Sequence, residues 1–420
     1  MKKFAIASIF ALLMSASASA FSLGDIPQSL ADALGDWNAT NTGLTVFPIL
    51  SIPLGGEYEA MATAYTAVAR DSSYFDANPA ASSRLATTEL ALLHNNIIAD
   101  ANLEGITYTI RYGDLGLGFG GKFLHVPFTE YNLYGAQENS VRYTETVAGI
   151  NASYNFLNSF NFHGISAGAN VKVAYRNIPT VIAPGQSAFG VMADLGVLTR
   201  FNLLKFYPSR TKNFSVGVTA KNLGPAPLGE PLPSSLNAGI AFAPLRPLTL
   251  SADVNMPFVM FSDAPAEPLG FATGMSVAVT DFFAAQTGFQ LKGGNPRFAM
   301  GGSLTWKDIR FQMNYTLDMT TQTSSVDRFS VQAAFNFGDR GRADVQRQVE
   351  EYYLDALVAY ANGDIESTVA LCNQALELDP TFQPAADTKT KAQRMLTLQH
   401  QMEAIRLGTA GDSSSPAANQ

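Results

Sequence analysis

The chain has 420 residues, of which 47% are hydrophobic and 15% charged, with a net charge of -8. The acidic balance excludes a nucleic-acid partner held through its phosphates, and the charged fraction falls well below the roughly 25% of ordinary soluble domains. Its single cysteine, Cys372, excludes an intramolecular disulfide, so a chain that leaves the cytoplasm must be held together by hydrogen bonding and packing.

The N-terminus reads MKKFAIASIFALLMSASASA: Lys2 and Lys3, an apolar run from Phe4 to Met14, then small residues ending Ala18-Ser19-Ala20. This is the three-part layout of a secretory signal peptide over 1–20, with cleavage expected before Phe21. The apolar run is too short for a transmembrane anchor. No cysteine lies near the new N-terminus, which argues against a bacterial lipid anchor. The segment 21–87 has helical and turn character without clean alternation. From residue 88 the texture becomes period two.

The stretch RFAMGGSLTWKDIRFQMNYTL, 297–317, shows the pattern best. Phe298, Met300, Leu304 and Trp306, then Ile309, Phe311, Met313, Tyr315 and Leu317, occupy every second position, with small or polar residues between them. Strand side chains point alternately to opposite faces, so this is a hairpin with one apolar and one wet face. Similar runs are assigned at 88–95, 103–112, 115–125, 141–156, 162–177, 188–200, 213–222, 234–243, 247–256, 268–279, 283–292, 297–306, 308–318 and 327–337. That makes about 14 strands, each near the roughly ten residues a tilted strand needs to cross a bilayer. Long and short connections alternate along 88–338, as in outer-membrane barrels; the exception is 201–212, which is long where a tight turn is due. The fold class expected is therefore an all-β transmembrane barrel of antiparallel strands. Its apolar set faces lipid, including Ile106, Tyr108, Val216, Val218, Leu250, Phe329, Val331 and Phe335. Its wet set faces the lumen, because a dry core would leave Arg310, Gln312 and Asn314 in need of partners. The inward face is rich in glycine (Gly116, Gly118, Gly120, Gly168, Gly196, Gly217, Gly239, Gly274, Gly288, Gly301), which leaves room for something inside.

Before the first strand come Gly56-Glu57-Tyr58-Glu59-Ala60-Met61, the run Ala64 to Ala69, and Asn78-Pro79-Ala80. With the strand count, these resemble the N-terminal hatch of the FadL-type long-chain fatty acid transporter family, nearest to its branch of spirochaete outer-membrane proteins. Gly56, Glu57, Asn78, Pro79 and Ala80 carry the resemblance, which does not extend past about residue 338. It implies a barrel plugged by an N-terminal hatch over 21–87 that carries hydrophobic molecules, long-chain fatty acids foremost, across the outer membrane, with sideways exit through a defect in the third strand. In this sequence the third strand reads LGLGFGGKF, and glycines inside a strand mark bulges or close approaches. Gly120 and Gly121 stand either as an exit kink or as room for the hatch.

Lys122, Lys172, Arg176, Lys221 and Lys292 fall inward in the outer half of the barrel, Asp194 near mid-height, and Arg111, Arg200 and Arg310 near the periplasmic end. A basic upper lumen suits an anionic head group, which makes Lys122, Lys172, Arg176 and Lys221 candidate ligand-binding residues. Alternatively these bases pair with hatch acids such as Glu57, Glu59, Asp71 and Asp76.

After Phe337 apolar residues recur at helical spacing. The segment 352–380 resembles one tetratricopeptide repeat, with Gly363-Asp364 at the turn, Ala375 and Leu376 in the second helix and Leu378-Asp379-Pro380 closing it. Asp355, Ala356 and Cys372 depart from the pattern. With a third helix near 388–406 this gives a helical module over 343–407, expected in the periplasm and suited to a periplasmic protein partner, followed by a Ser-, Ala- and Pro-rich tail at 408–420 expected to be disordered. His94, His125, His163 and His400 show no metal-ligand spacing, and no P-loop or nucleophile-elbow motif is present. The expectation is a non-enzymatic outer-membrane protein without metal or cofactor. It either takes up amphiphiles or, without transporting, anchors a periplasmic or surface assembly.

Overall fold

The computed structural model describes residues 45–97, 100–207, 211–262, 266–292, 295–319 and 327–412. The expected signal peptide at 1–20, the first part of the expected hatch at 21–44 and the tail at 413–420 lie outside the described residues. The chain divides into two compact units, one holding the barrel, the other holding Leu157–Gly164 and the chain from Gly338 onward.

The first unit is a closed barrel of 14 strands in sequence order. They are β1 (Glu89–Asn96), β2 (Asn102–Tyr112), β3 (Leu115–Tyr131), β4 (Gln137–Asn158), β5 (His163–Asn177), β6 (Ala188–Phe201), β7 (Phe214–Leu223), β8 (Ser235–Leu245), β9 (Leu248–Pro257), β10 (Gly270–Ala278), β11 (Phe283–Lys292), β12 (Asn295–Trp306), β13 (Ile309–Asp318) and β14 (Arg328–Asn336). β1 pairs antiparallel with β14 from Glu89↔Asn336 to Asn96↔Phe329, which removes both sheet edges. With an even strand count, β1 starts and β14 finishes at the same end of the barrel.

The hairpin of β12 and β13 shows why the strands face as they do. Met300, Leu304, Trp306, Phe311, Met313 and Tyr315 are exposed on the outside, while Ser303, Gln312 and Asn314 are buried inside. Satisfying Gln312 and Asn314 takes lumen partners: Gln312 Nε2 donates to Asn314 Oδ1 at 2.7 Å and Asn314 Nδ2 to Ser330 Oγ at 3.2 Å. The expected long loop at 126–140 is instead mostly strand, because β3 and β4 stay paired from Val126↔Tyr143 to Glu130↔Asn139. Backbone pairing there outlasts the side-chain alternation that marks a bilayer crossing, so alternation alone placed the strand ends too early. In the long connection between β6 and β7 the described residues 202–207 and 211–213 are not strand.

Residues 45–88 pack against the inward faces of the strands. They form two short helices, α1 (Gly56–Ala60) and α2 (Tyr74–Ala77), with 3-10 turns at Pro48–Ser51 and Pro79–Arg84. Asn78 opens the second turn by accepting from Ala80 N at 3.1 Å, and Pro79, lacking an N–H, sits where none is needed. So short a plug cannot hold its own core. Its apolar residues join one cluster with barrel residues Leu93, Leu103, Leu124, Val147, Met192 and Leu198.

In the second unit, α3 (Arg342–Ala361), α4 (Ile365–Leu378) and α5 (Gln383–Asp412) pack around Val349, Ala356, Cys372, Ala375, Phe382 and Ala385. The Phe382 ring meets the rings of Tyr353 and Phe160 edge-on, each at 5.3 Å. Gly363, at φ +80°, makes the turn into α4, and Asp364 caps that helix by accepting from Ser367 N at 3.0 Å. The expected disordered tail at 408–420 is corrected in part. α5 continues to Asp412, since nothing before the Ser- and Pro-bearing run at 413–416 forbids another helical turn.

Candidate functional site

Polar side chains line the lumen wall all round, including buried Lys122, Glu145, Asn151, Asn170, Lys172, Arg176 and Asp194 on β3 to β6. On β7 to β14 its buried inward side chains are largely polar: Thr219, Asn237, Asp253, Gln286, Asn314 and Gln332 among them. On β1 to β6, toward the end where β1 finishes, Leu93, Leu103, Leu124, Val147, Ala174 and Met192 make an apolar face, with Val126 and Tyr143 packed against it. The plug residues Val46 to Leu54 cover this face. A Cβ on Gly190 would lie 2.7 Å from the Phe47 ring, and one on Gly105 would lie 2.8 Å from Leu54 Cδ1.

Few polar contacts hold that cover. Ile49 N donates to buried Glu145 Oε2 at 2.8 Å, Lys122 Nζ donates to Ile52 O at 2.8 Å, and Val46 N donates to Pro231 O at 2.9 Å. Glu145 also accepts from the Tyr143 hydroxyl. An inward carboxylate between Tyr143 and Val147 was detectable from strand parity, yet the sequence reading did not single it out.

The rest of the plug is bonded more densely. Asn78 Nδ2 donates to Thr66 O at 2.8 Å and to Val197 O at 3.2 Å. Asn151 Nδ2 donates to Pro79 O at 3.0 Å, and Asp253 Oδ2 accepts from Tyr65 N and Thr66 N at 3.0 and 2.8 Å. Ala80 packs beside Gly168. Gly56 holds φ +65°, where a side chain is strained, and a Cβ there would meet Asp71 Oδ2 at 2.8 Å. Glu57 bridges to Arg70 at 2.7 Å. The five residues that carried the hatch resemblance thus sit in the plug's internal bonding and its contacts with the wall.

The four candidate ligand-binding bases are placed as follows. Lys122 pairs with the plug acid Asp76 at 2.7 Å, Lys172 with Asp194 at 2.8 Å, and Arg176 with Glu230 at 2.8 Å. Among the described residues Lys221 pairs with no acid; its ammonium lies 3.4 Å from the Tyr58 hydroxyl and over that ring. Three of the four bases are thus paired within the protein, so a receptor for an anionic head would draw on Lys221 or displace an existing partner. Pairing with plug acids holds for Lys122 alone. The other two partners lie on the wall or its connections, which parity could not reveal.

Gly120 and Gly121 lie within the continuous ladder of β3. β3 pairs through them without a break, as Thr107↔Gly120 and Ile106↔Gly121 on one side and Gly120↔Gly149 and Gly121↔Ala148 on the other. The β3 glycines are sites of close approach. A Cβ on Gly116 would fall 2.2 Å from the Ser82–Ser83 peptide, one on Gly118 2.2 Å from the Tyr74 hydroxyl, and one on Gly120 2.9 Å from the Phe75 ring.

A cavity of about 130 Å³ lies between the plug and the inner faces of β7 to β12 and β14. Tyr58, Lys221, Asp253, Asn255, Gln290 and Arg328 are among its lining residues. Arg328, on β14, was not singled out from the sequence, although the outward Phe329 beside it already turns it inward by parity. Among the described residues no group of three His, Cys, Asp or Glu side chains is placed to hold a metal.

The chain is similar to two proteins of Treponema pallidum (strain Nichols) described as UPF0164 proteins. One is 27% identical over 365 residues, covering 84% of this chain and 83% of the relative; the other is 24% identical over 376 residues, covering 84% and 76%. Among solved structures, the Ralstonia pickettii toluene transporter TbuX aligns with TM-score 0.48 and 15% identity over 68% of this chain and 98% of that one. The Pseudomonas putida toluene transporter TodX aligns with TM-score 0.46 and 12% identity over 67% and 97%. A model of the uncharacterised protein family UPF0164 matches residues 31–340, which span the barrel and stop short of the C-terminal helices. The chain belongs to the UPF0164 family.

Proposed function

We propose that this protein is an outer-membrane barrel that takes up amphiphilic molecules with apolar tails, long-chain fatty acids being the first candidates from the FadL-type resemblance of 56–80. One observation supports the reading: the lumen side chains Leu93, Leu103, Leu124, Val147 and Met192 form an apolar patch covered by the apolar residues of 46–54. The cover 46–54 lies where an acyl chain would find equivalent burial. Each buried CH₂ gains about 0.8 kcal/mol, so a tail of a dozen carbons competes with a segment held by a few hydrogen bonds. Because Lys122, Lys172 and Arg176 are already paired, the apolar face selects by tail rather than by charge. Proteoliposomes carrying the protein should accumulate labelled palmitate faster than protein-free vesicles. Replacing Phe47, Ile49, Ile52 and Leu54 with serine should raise that rate; no difference between protein-containing and empty vesicles would dismiss transport.

A second observation supports a scaffold role. α3 and α5 leave Leu354, Val358, Met402 and Ile405 exposed at 60%, 60%, 69% and 67%, more apolar surface than a solvated helix needs. In this reading the helical unit presents that surface to a periplasmic protein, as a tetratricopeptide-like module would. Co-purification of a partner that is lost with residues 342–412 removed, from cells showing no palmitate uptake, would favour this role.

A further inference from the structure

We propose that the helical unit pairs with a second copy of itself, the α3 of each protomer lying along the α5 of its partner. This names an occupant for the surface of the scaffold reading, on which it rests, and it is independent of transport. The observations are the outer faces of two helices. In α3 the buried Val349 and Ala356 fall on one side, while Glu351, Leu354, Asp355 and Val358, spaced i, i+3, i+4 and i+7, fall on the other and are exposed. α5 buries Ala385, Thr388 and Ala392; Lys391, Arg394, Met395, Leu398 and Met402 run along a different side and are exposed. The helix continues to Asp412, yet from Thr397 to Ile405 every side chain is exposed. Most helical stability comes from packing an apolar face, so this half of α5 calls for a covering surface.

Charge names what covers it. The α3 stripe carries acids and the α5 stripe carries bases, and among the described residues none of Glu351, Asp355, Lys391 and Arg394 takes part in an ion pair or a side-chain hydrogen bond. Set parallel with Glu351 opposite Lys391, the two helices place Val358 opposite Leu398. Each flank of one helix then meets the opposite flank of the other, which brings Asp355 to Arg394 and Leu354 to Met395. Acids meet bases and apolar residues meet apolar residues throughout. Pairing α5 with its own copy would instead oppose Lys391 and Arg394 to like charges, and α3 with its copy would oppose acids to acids. The short connections 362–364 and 379–382 make successive helices antiparallel, so α3 and α5 share a direction. A two-fold axis along that direction keeps each α3 parallel to the partner's α5, and the two contacts close as an isologous dimer. Five apolar and four charged side chains from each protomer, at roughly 100 Å² apiece, approach the roughly 800 Å² a side of a specific interface.

The test uses the full-length mature protein in neutral detergent at low ionic strength, with its mass followed by light scattering across a concentration series. A concentration-dependent dimer is expected, weakened at least tenfold by Glu351→Lys with Asp355→Lys, and equally by Lys391→Glu with Arg394→Glu. Mixed in equal amounts, the two double variants should dimerise as wild type does, because each then supplies the reversed helix that the other needs. A chain carrying all four substitutions should dimerise with itself, and either recovery shows that the variants are folded. Wild type that stays monomeric at every concentration would overturn the proposal and leave the surface to a different protein. Dimers that survive either reversal, or no recovery both on mixing and in the fourfold variant, would also overturn it. Co-purification of a foreign partner lost with residues 342–412 removed reports on the scaffold reading separately, so the two can fail independently.

Discussion

Replacing Gly116 with alanine tests whether the plug is seated as described. The new Cβ would lie 2.2 Å from the carbonyl carbon of Ser82 and 2.2 Å from the nitrogen of Ser83. Relaxed carbon contacts sit near 3.5–4.0 Å, so the 79–84 turn must withdraw by about 1.3 Å or more. The obstructing atoms are backbone and cannot rotate aside. Overpacking of this kind costs about 1–3 kcal/mol, while alanine in a strand recovers about 0.5–1 kcal/mol relative to glycine. The net loss, up to about 2.5 kcal/mol and toward that upper end because backbone atoms obstruct, raises the opening equilibrium of the turn by up to about 70-fold. Hydrogen exchange read by mass spectrometry over 74–88 should accelerate by that factor, with barrel amides unchanged. Gly121→Ala is the control in the same strand. Its Cβ meets only Val147 O at 3.3 Å and Ile106 Cγ2 at 3.8 Å, so the turn should stay within twofold of wild type. Equal protection of the turn in Gly116→Ala and wild type would refute the seating of the plug.

Other perturbations separate the remaining links. Asn78→Ala removes two buried donations and one capping acceptance; at about 1 kcal/mol for each bond it should loosen 64–84 by about 3 kcal/mol, seen as faster exchange there, and Asn78→Asp should not rescue it because it lacks the amide donor. Lys122→Met leaves Asp76 and the Ile52 carbonyl without their cation, a loss of about 3–5 kcal/mol for a broken buried pair; the double variant with Asp76→Asn should recover much of it in thermal melts, and additive effects would count against the pair. Bonds from Ser367 depress the Asp364 carboxyl below its ordinary value, so its contribution to the helical unit is present above that ordinary value and lost as pH falls through the depressed one. Asp364→Asn should flatten this acid limb in circular dichroism of the full chain, and an unaltered limb would exclude the cap as its source. Burial raises the Cys372 thiol, so maleimide labelling at pH 7 should be slow until denaturant opens α3 to α5; immediate labelling would contradict their packing.

The period-two pattern determined the barrel without help from tertiary contacts. Alternation is a property of each strand taken alone, and Met300, Leu304, Phe311 and Met313 lie outside as their spacing required, because only lipid accepts that much apolar surface. The inward glycines and the lumen cations were legible for the same reason. What those residues meet was not. Gln332 donates to Leu54 O across 278 positions, and Tyr65 N donates to Asp253 across 188. No local pattern encodes such separations, so the partners of Lys172 and Arg176 and the use of Gly120 came only from the folded chain. Parity tells which face a side chain takes. Which groups share a height inside the barrel depends on stagger, on connections such as the one bearing Glu230, and on a plug whose own sequence shows no regular period. The sequence therefore decided wall and orientation, and the tertiary structure decided which charges were spent, which glycines were contacts and where an apolar face lay covered.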